Sequence, residues 1–192
     1  RKSLESGNRM LSSYRDEVLN CLQSVSTEVL DLAIEQIQNA SKRNANIFIA
    51  GNGGSAALAS HFTIDLIKSG FTRKNPIRAF SLVDNSPVVT ATGNDFDFDE
   101  VFSWQLRELG NENDLLIVIS SSGNSNNILN ALKTSREKNM YSLSISGFDG
   151  GMVSRISNVS IVTKSEKGNY GPVEDSHSII CHYLARQVLK FN

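Results

Sequence analysis

The chain has 192 residues, of which 40% are hydrophobic, and this is enough for one domain with a sizeable core. Its 19 lysines and arginines are balanced by 20 aspartates and glutamates, which argues against the basic surface that nucleic-acid binding needs. No apolar run approaches the roughly 20 residues of a membrane span, and no signal-peptide core is evident. Cys21 and Cys181 are too few for a disulfide framework. We therefore expect a cytoplasmic protein that binds neither nucleic acid nor membrane.

The N-terminal part of the chain is predicted to be helical. Between residues 10 and 43, apolar residues recur at three- and four-residue spacings, and Ser24-Val25-Ser26 favours a break between two helices. This is more helix than one layer over a sheet needs. We therefore expect the segment to pack against another subunit in a homo-oligomer.

From residue 46 onward, short apolar runs alternate with segments of helical pattern. The predicted strands are residues 46–50, 78–82, 114–120, 141–146 and 158–163. Helices are predicted after the first strand and at 87–92 (a short helix or a turn), 99–109, 126–137 and 174–191. In 99–109 the residues expected to face the core are Val101, Phe102, Gln105, Leu106 and Leu109. The alternation indicates an α/β fold, with a three-layer, doubly wound, five-stranded parallel sheet in the flavodoxin-like order.

A glycine-rich turn, Gly51-Asn52-Gly53-Gly54-Ser55, follows the first predicted strand and leads into a helix. Its glycines let the backbone approach a ligand closely, and the free N–H groups of the helix start favour an anion such as phosphate. Slightly further along, His61 and Asp65 lie four residues apart and therefore on one helix face. They form a potential metal-binding or acid/base pair.

The third predicted strand ends in a second polar turn, Ser120-Ser121-Ser122-Gly123-Asn124-Ser125. It offers hydroxyl donors and a second helix start, with Asn124 or Ser125 as the expected cap. Each turn taken singly is also compatible with a simple connection. Because neither has the lysine of a nucleotide P-loop or the G-x-G-x-x-G pattern, the pair favours a small phosphorylated metabolite over a nucleotide.

The sequences GNGGSAALASHF and SSSGNS resemble the two signatures of the sugar isomerase (SIS) domain, and the chain is similar to the phosphoheptose isomerases within it. Further matching pieces are GNDF at 93–96, GFDGG at 147–151, and the final E-x-x-H-x-x-x-x-H from Glu174 to His182. The resemblance runs from about residue 43 to the end. It implies a single SIS domain over 1–192, with a helical oligomerisation segment at 1–43 and a sugar-phosphate-binding core at 44–192.

The resemblance implies an aldose–ketose isomerase that converts sedoheptulose 7-phosphate to D-glycero-D-manno-heptose 7-phosphate through an enediolate. This reaction would supply heptose for lipopolysaccharide or capsule. The resemblance also implies a homotetramer with active sites between subunits and one zinc ion in each site. Two other functions stay open: a non-catalytic regulator that binds the bacterial replication initiator, and an isomerase or sensor for another sugar phosphate.

Roles for single residues also come from the resemblance. The implied substrate-binding residues are Asn52, Gly53, Gly54, Ser55, Asp65, Asn94, Asp95, Ser120, Ser121, Ser122, Ser125 and Glu174. The implied metal ligands are His61, Asp65, Glu174 and His182, and Asp65 and His182 are also the implied acid/base catalysts. Asp65 stands where the best-studied members have glutamate, and Glu174 where they have glutamine. Both replacements are carboxylates, which also bind divalent cations.

Spacing leaves the last helix open to several interpretations. Glu174 and His182 are eight residues apart, a helical rise of about 12 Å. They reach one ion only if it lies between them, if Glu174 belongs to the preceding loop, or if they serve different subunits. His177 and Cys181 form a rival pair four residues apart.

Overall fold

A five-stranded parallel sheet forms the centre of the protein in a computed structural model that describes residues 2–70 and 76–190. The strands are β1 (Asn46–Gly51), β2 (Arg78–Ser81), β3 (Leu115–Ser120), β4 (Tyr141–Gly147) and β5 (Val159–Thr163). They lie in the order β2-β1-β3-β4-β5, and all four neighbouring pairs are parallel. The predicted fold class is confirmed, and each predicted strand is correct to within one residue at either end.

Helices cover both faces of the sheet. They are α1 (Lys2–Gln23), α2 (Thr27–Lys42), α3 (Gly54–Gly70), α4 (Ser86–Asp95), α5 (Ser103–Leu109), α6 (Asn126–Glu137), α7 (Val153–Ile156) and α8 (Tyr170–Lys190). Successive strand residues point to opposite faces. Ile117 therefore packs in the cluster with α2, α3 and α8, whereas Val118 packs in the cluster with α5 and α6.

The break between two N-terminal helices is confirmed. Ser26 is the N-cap of α2, and its Oγ accepts a hydrogen bond of 3.4 Å from the backbone N–H of Val29. Both helices contact α8 of the same chain. Cys21 of α1 and Cys181 of α8 are buried and unpaired. Among the described helices, none combines the length and hydropathy that crossing a membrane requires.

The prediction was partly wrong between β2 and β3. The predicted helix 99–109 is divided into a 3-10 turn, Phe98–Glu100, and the short helix α5. Leu109 was expected to face the core but is 55% exposed, because it is the last residue of α5 and projects past the packed face. The expected core residues that are buried are Val101, Phe102, Gln105 and Leu106.

The start of the last helix also differs from the prediction, since α8 begins at Tyr170 rather than at residue 174. Pro172 lies in its first turn, where the backbone N–H groups have no intrahelical partner and proline is tolerated. Glu174 is therefore inside the helix and not in the preceding loop, which removes one of the three interpretations of its distance from His182. Helix α7 was not predicted, because its four residues are too few to show a helical period.

Candidate active site

The two polar turns predicted to bind an anion lie side by side at the carboxyl edge of the sheet, because β1 and β3 are neighbours. Two side-chain amides join them. Asn52 Nδ2 donates to Asn127 Oδ1 at 2.8 Å, and Asn127 Nδ2 donates to Asn52 Oδ1 at 2.9 Å. Asn127, near the start of α6, is only 2% exposed. The glycine turn and the serine turn are thus held together as one unit.

Four serines of the second turn border one space that could hold a ligand. They line a cavity of about 190 Å³, called here the serine cavity. Its lining residues are Asn52, Ser55, Ile119, Ser120, Ser121, Ser122, Ser125, Tyr170 and Glu174. Ser121 Oγ is buried and has no hydrogen-bond partner among the described residues. Ser125 occupies the N-cap position of α6, but its side chain makes no capping hydrogen bond, in contrast to the expected cap.

The glycine-rich turn after β4 packs against the serine turn. The backbone N–H of Gly147 donates to Ser121 O at 3.0 Å, and that of Val153 donates to Gly123 O at 3.0 Å. A Cβ on Gly151 would lie 2.4 Å from Ser122 O, and the φ of Gly151 is +58°. Only glycine allows this approach of one backbone to the other. The resemblance of 147–151 to the family therefore has a structural explanation: the turn shapes the serine loop.

His61, Asp65 and His182 form a compact group of potential metal ligands. Helices α3 and α8 pack together, with Ser69 Oγ donating to Ala185 O at 2.9 Å. The packing places Asp65 Oδ2 3.4 Å from His61 Nε2 and 3.4 Å from His182 Nε2. The two Nε2 atoms are 3.2 Å apart. All three ligand atoms are within 4.8 Å of one another.

The distances within this group suit a tetrahedral ion. Ligand atoms at about 2.0–2.2 Å from a tetrahedral zinc ion lie about 3.3–3.6 Å from each other. The three separations in the structure, 3.2, 3.4 and 3.4 Å, fall at or near this range. Two imidazole nitrogens and one carboxylate oxygen are also donors that zinc accepts. The residues therefore fit a metal ion, with His61, Asp65 and His182 as its ligands.

Glu174 lies outside the group that holds the other three predicted ligands. It lines the serine cavity and also a second cavity of about 250 Å³, called here the histidine cavity. The residues lining the histidine cavity are Gly54, Ser55, Ala57, Leu58, His61, Glu174, Asp175, His177 and Ser178. Ser55 and Glu174 are common to both cavities, so they stand where the two meet.

Comparison with known proteins agrees with this geometry. The pattern of the SIS domain matches residues 13–147. A phosphoheptose isomerase of Campylobacter jejuni subsp. jejuni is 39% identical over 145 residues, which cover 76% of this chain and 77% of that protein. Another, of Helicobacter pylori, is 35% identical over 166 residues, or 86% of this chain and 83% of that protein. The chain belongs to the phosphoheptose isomerase family of SIS-domain proteins.

The fold of a solved member of this family is also close. The structure of a phosphoheptose isomerase from Francisella tularensis matches with a TM-score of 0.87 at 26% sequence identity, over 98% of both chains. The likeness therefore includes the N-terminal helices as well as the sheet. It agrees with the SIS-type α/β fold expected from the alternating strands and helices.

Asn94 and Asp95, two of the predicted substrate-binding residues, lie on α4. They are the last two residues of this helix, which Asn85 caps and which runs through Gly93, beyond the predicted end at residue 92. Both are exposed, and Asn94 Nδ2 donates to Asp95 Oδ1 at 2.8 Å. Neither lines the serine cavity or the histidine cavity. Their part in binding a substrate stays a prediction.

The rival pair on α8, His177 and Cys181, does not join the group of potential ligands found among the described residues. Both side chains are buried. His177 Nε2 lies 3.0 Å from Thr163 Oγ1, and burial lowers the pKa of His177 to about 4. Burial also raises the pKa of the Cys181 thiol. Two neutral, buried side chains without a third donor are weak candidates for a metal site.

Two residues of the site escaped the sequence analysis. Asn127 fixes Asn52, yet an asparagine near a helix start is common and does not indicate which loop it contacts. Tyr170 lines the serine cavity, and its ring meets the ring of Phe148 edge to face with centroids 5.2 Å apart. The last helix was predicted to begin at residue 174, so the position of Tyr170 on the first turn of α8 was not expected.

Proposed function

We propose that the chain interconverts sedoheptulose 7-phosphate and D-glycero-D-manno-heptose 7-phosphate. One observation carries this proposal: the serine cavity and the histidine cavity meet at Ser55 and Glu174. An anion-binding end and a proton-transfer end are thus joined, as an extended sugar phosphate requires. The named activity of the related phosphoheptose isomerases supports this choice of substrate.

The phosphate of the substrate is proposed to bind at the serine turn. Ser121 Oγ is buried without a partner, and the side chain of Ser125 does not cap α6. Both hydroxyls can donate to phosphate oxygens, and the start of α6 adds the positive end of its helix dipole. Among the described residues, no lysine lines the serine cavity, and hydroxyl and backbone donors alone suit a small monoester better than a triphosphate.

The isomerisation is proposed to take place where the histidine cavity meets the group of His61, Asp65 and His182, which borders the cavity through His61. It moves one proton between neighbouring carbons and another between their oxygens, and it needs a carboxylate base and an acid. We propose zinc as the metal, held by His61, Asp65 and His182. A bound zinc ion acts as a Lewis acid that stabilises negative charge on substrate oxygens. His182 is the proposed acid/base histidine, and Asp65 and Glu174 are the candidate bases.

The proposed assembly is a homotetramer with active sites between subunits. In α1, the large apolar side chains of Met10 and Leu11 are 74% and 69% exposed, and a neighbouring subunit would cover them in such an assembly. On α8, Ile179 and Tyr183 are close in sequence to the potential metal ligand His182, and they are 45% and 39% exposed. The segment 1–43 would supply part of the subunit contacts, and residues 44–192 the sugar-phosphate-binding core of the single SIS domain.

We further propose that the enzyme works in the cytoplasm and supplies heptose for lipopolysaccharide or capsule. The two buried, unpaired cysteines are compatible with a reducing compartment. A non-catalytic regulator is the less favoured function, because His61, Asp65 and His182 retain a complete set of potential ligands.

The test is an assay of the purified protein with sedoheptulose 7-phosphate and added zinc, with the aldose product measured by chromatography. We expect formation of the seven-carbon aldose phosphate. Parallel incubations with five- and six-carbon ketose phosphates test whether the protein instead isomerises another sugar phosphate. Absence of turnover of every substrate with zinc, manganese, cobalt and magnesium would contradict the proposed function.

A further inference from the structure

One wall of the serine cavity comes from helix α8, and two side chains form it. Tyr170 and Glu174 both line the cavity. They are four residues apart, so they share one face of the helix with a rise of about 6 Å between them. Glu174 also lines the histidine cavity, whereas Tyr170 does not. Tyr170 therefore lies on the side of Glu174 that is away from the histidine cavity.

The two side chains of this wall differ in what they offer to an anion. An ionised carboxylate such as that of Glu174 only accepts hydrogen bonds, and its negative charge repels phosphate. The phenol of Tyr170 can donate a hydrogen bond. Its hydroxyl has no hydrogen-bond partner among the described residues, and the residue is 50% exposed. Of the two, Tyr170 is therefore the one that can stabilise a bound phosphate.

We propose that Tyr170 is a further phosphate-binding residue of the serine cavity, and that its hydroxyl donates a hydrogen bond to a phosphate oxygen. This inference rests on the proposed function, because it names an additional contact for the phosphate group of that substrate. Ser121 and Ser125 border the same space from the serine turn. A phosphate bound there receives hydrogen bonds from two sides, the serine turn and α8.

The end of β4 holds both Tyr170 and the serine turn. The backbone N–H of Gly147 donates to Ser121 O at 3.0 Å. The next residue, Phe148, is only 5% exposed, and its ring meets the ring of Tyr170 edge to face with centroids 5.2 Å apart. Two consecutive residues thus fix the two sides of the proposed phosphate site. Because the ring of Tyr170 is already packed, little side-chain entropy is lost when its hydroxyl binds a ligand.

Gly147 also allows the first turn of α8 to come close to the serine turn. A Cβ at this position would lie 2.4 Å from Val173 Cγ1 and 3.1 Å from Ser121 O. A larger residue here would push α8 and the serine turn apart. Val173 and Phe148 also pack with Cys21 in one buried cluster. The helix start that carries Tyr170 is therefore packed against the body of the protein.

The test compares Tyr170→Phe with the wild type, because phenylalanine keeps the ring beside Phe148 and removes only the hydroxyl. Titration calorimetry measures the binding of inorganic phosphate, which does not depend on turnover. We expect the Kd for phosphate to rise about tenfold, the size of effect typical of a hydrogen bond to a charged group. Tyr141→Phe is the matched control and should keep the wild-type Kd. Tyr141 is 37% exposed and begins β4, at the opposite edge of the sheet from the serine turn.

Steady-state kinetics with sedoheptulose 7-phosphate separates a phosphate contact from a general loosening of the site. A contact with the phosphate group is made equally in the ground state and in the transition state. Tyr170→Phe should therefore raise KM about tenfold and leave kcat unchanged. A loosened site would lower kcat as well.

Two results would overturn the inference while leaving the proposed function intact. The first is a Tyr170→Phe variant that keeps both the wild-type Kd for phosphate and the wild-type KM. The second is a variant with a lower kcat at an unchanged KM, which would mean that the hydroxyl does not bind the phosphate group. A wild type that binds phosphate but turns over no sugar phosphate would contradict the proposed function alone, and the two Kd values would still decide the role of Tyr170.

Discussion

The reciprocal amide pair between Asn52 and Asn127 gives the sharpest prediction about stability. Asn127→Ala removes both hydrogen bonds, of 2.8 and 2.9 Å, at a position that is only 2% exposed. A hydrogen bond contributes about 0.5–1.5 kcal/mol net, so the pair contributes about 2 kcal/mol. For a chain of this size, each kcal/mol lowers Tm by about 2–4 °C. We expect Asn127→Ala to lower Tm by about 4–8 °C.

Thermal unfolding at one fixed protein concentration measures this effect, since oligomers unfold in a concentration-dependent way. The matched control is Asn126→Ala, one residue earlier in α6. Asn126 is exposed, and its Nδ2 donates only to the exposed end of Asp99, at 3.1 Å. The control should change the free energy of unfolding by no more than about 0.5 kcal/mol. If both variants melt at the same temperature, the amide pair does not stabilise the two turns.

A double-mutant cycle tests the link between the turns directly. Because Asn52 and Asn127 contact each other through two bonds, Asn52→Ala should cost much less in the Asn127→Ala background than in the wild type. We expect a coupling energy of about 1 kcal/mol or more. Strictly additive effects on the free energy of unfolding would refute the reasoning.

Three further predictions concern the serine turn and the core beneath it. Ser121→Ala should raise the KM for the sugar phosphate about tenfold or more, because a hydrogen bond to a charged group contributes about 1.5–3 kcal/mol; an unchanged KM in steady-state kinetics would place the phosphate elsewhere. Gly151→Ala should destabilise the protein by more than about 1 kcal/mol, because the added Cβ would lie 2.4 Å from Ser122 O and the residue has a φ of +58°. Denaturant unfolding measures the loss. The control is Gly93→Ala, where the nearest atom to the added Cβ lies 3.7 Å away. Burial lowers the pKa of His177 to about 4, below that of the unfolded chain, so its contribution to stability is full above about pH 6.5 and is lost as the pH falls towards 4. The free energy of unfolding should therefore change less between pH 7 and pH 4 in His177→Gln than in the wild type. Identical pH profiles would mean that His177 does not cause this loss of stability.

The sheet could be predicted from the sequence because parallel strands are buried on both faces. Their residues form uninterrupted apolar runs, such as Leu115–Ser120, whose six residues are all buried. The ends of the helices were harder to predict from the sequence. Pro172 was taken to precede the last helix, yet proline is also compatible with a first helical turn, and one sequence does not distinguish the two. The exposure of Leu109 depends on where α5 ends, which the apolar period alone does not reveal.

The two turns of the site were predictable because glycine and serine after a buried strand have a direct physical meaning. The partnership of Asn52 with Asn127 was not, since it joins residues 75 positions apart through side chains of a common type. The same holds for the metal group. His61 and Asp65 share a helix face and were recognised as a pair, but their contact with His182 depends on how α3 packs against α8.

The two residues that depart from the family pattern, Asp65 and Glu174, can be explained together by their positions in the structure. The resemblance gives one glutamate at the first position, as ligand and base, and a glutamine at the second. An aspartate on α3 is one methylene shorter, and it lies against the two imidazoles with its Oδ2 3.4 Å from each. Such a side chain stays within the group of potential metal ligands, and it lines neither the serine cavity nor the histidine cavity. The carboxylate at 174 borders both cavities from α8, which makes it a second candidate base beside Asp65. Since misplacement of about 1 Å can cost 10²-fold in rate, shortening residue 65 alone would be severe. We therefore expect Glu174→Gln to lower kcat, and we expect the added substitution Asp65→Glu to restore part of the lost turnover in steady-state kinetics. No rescue would mean that the two positions act independently.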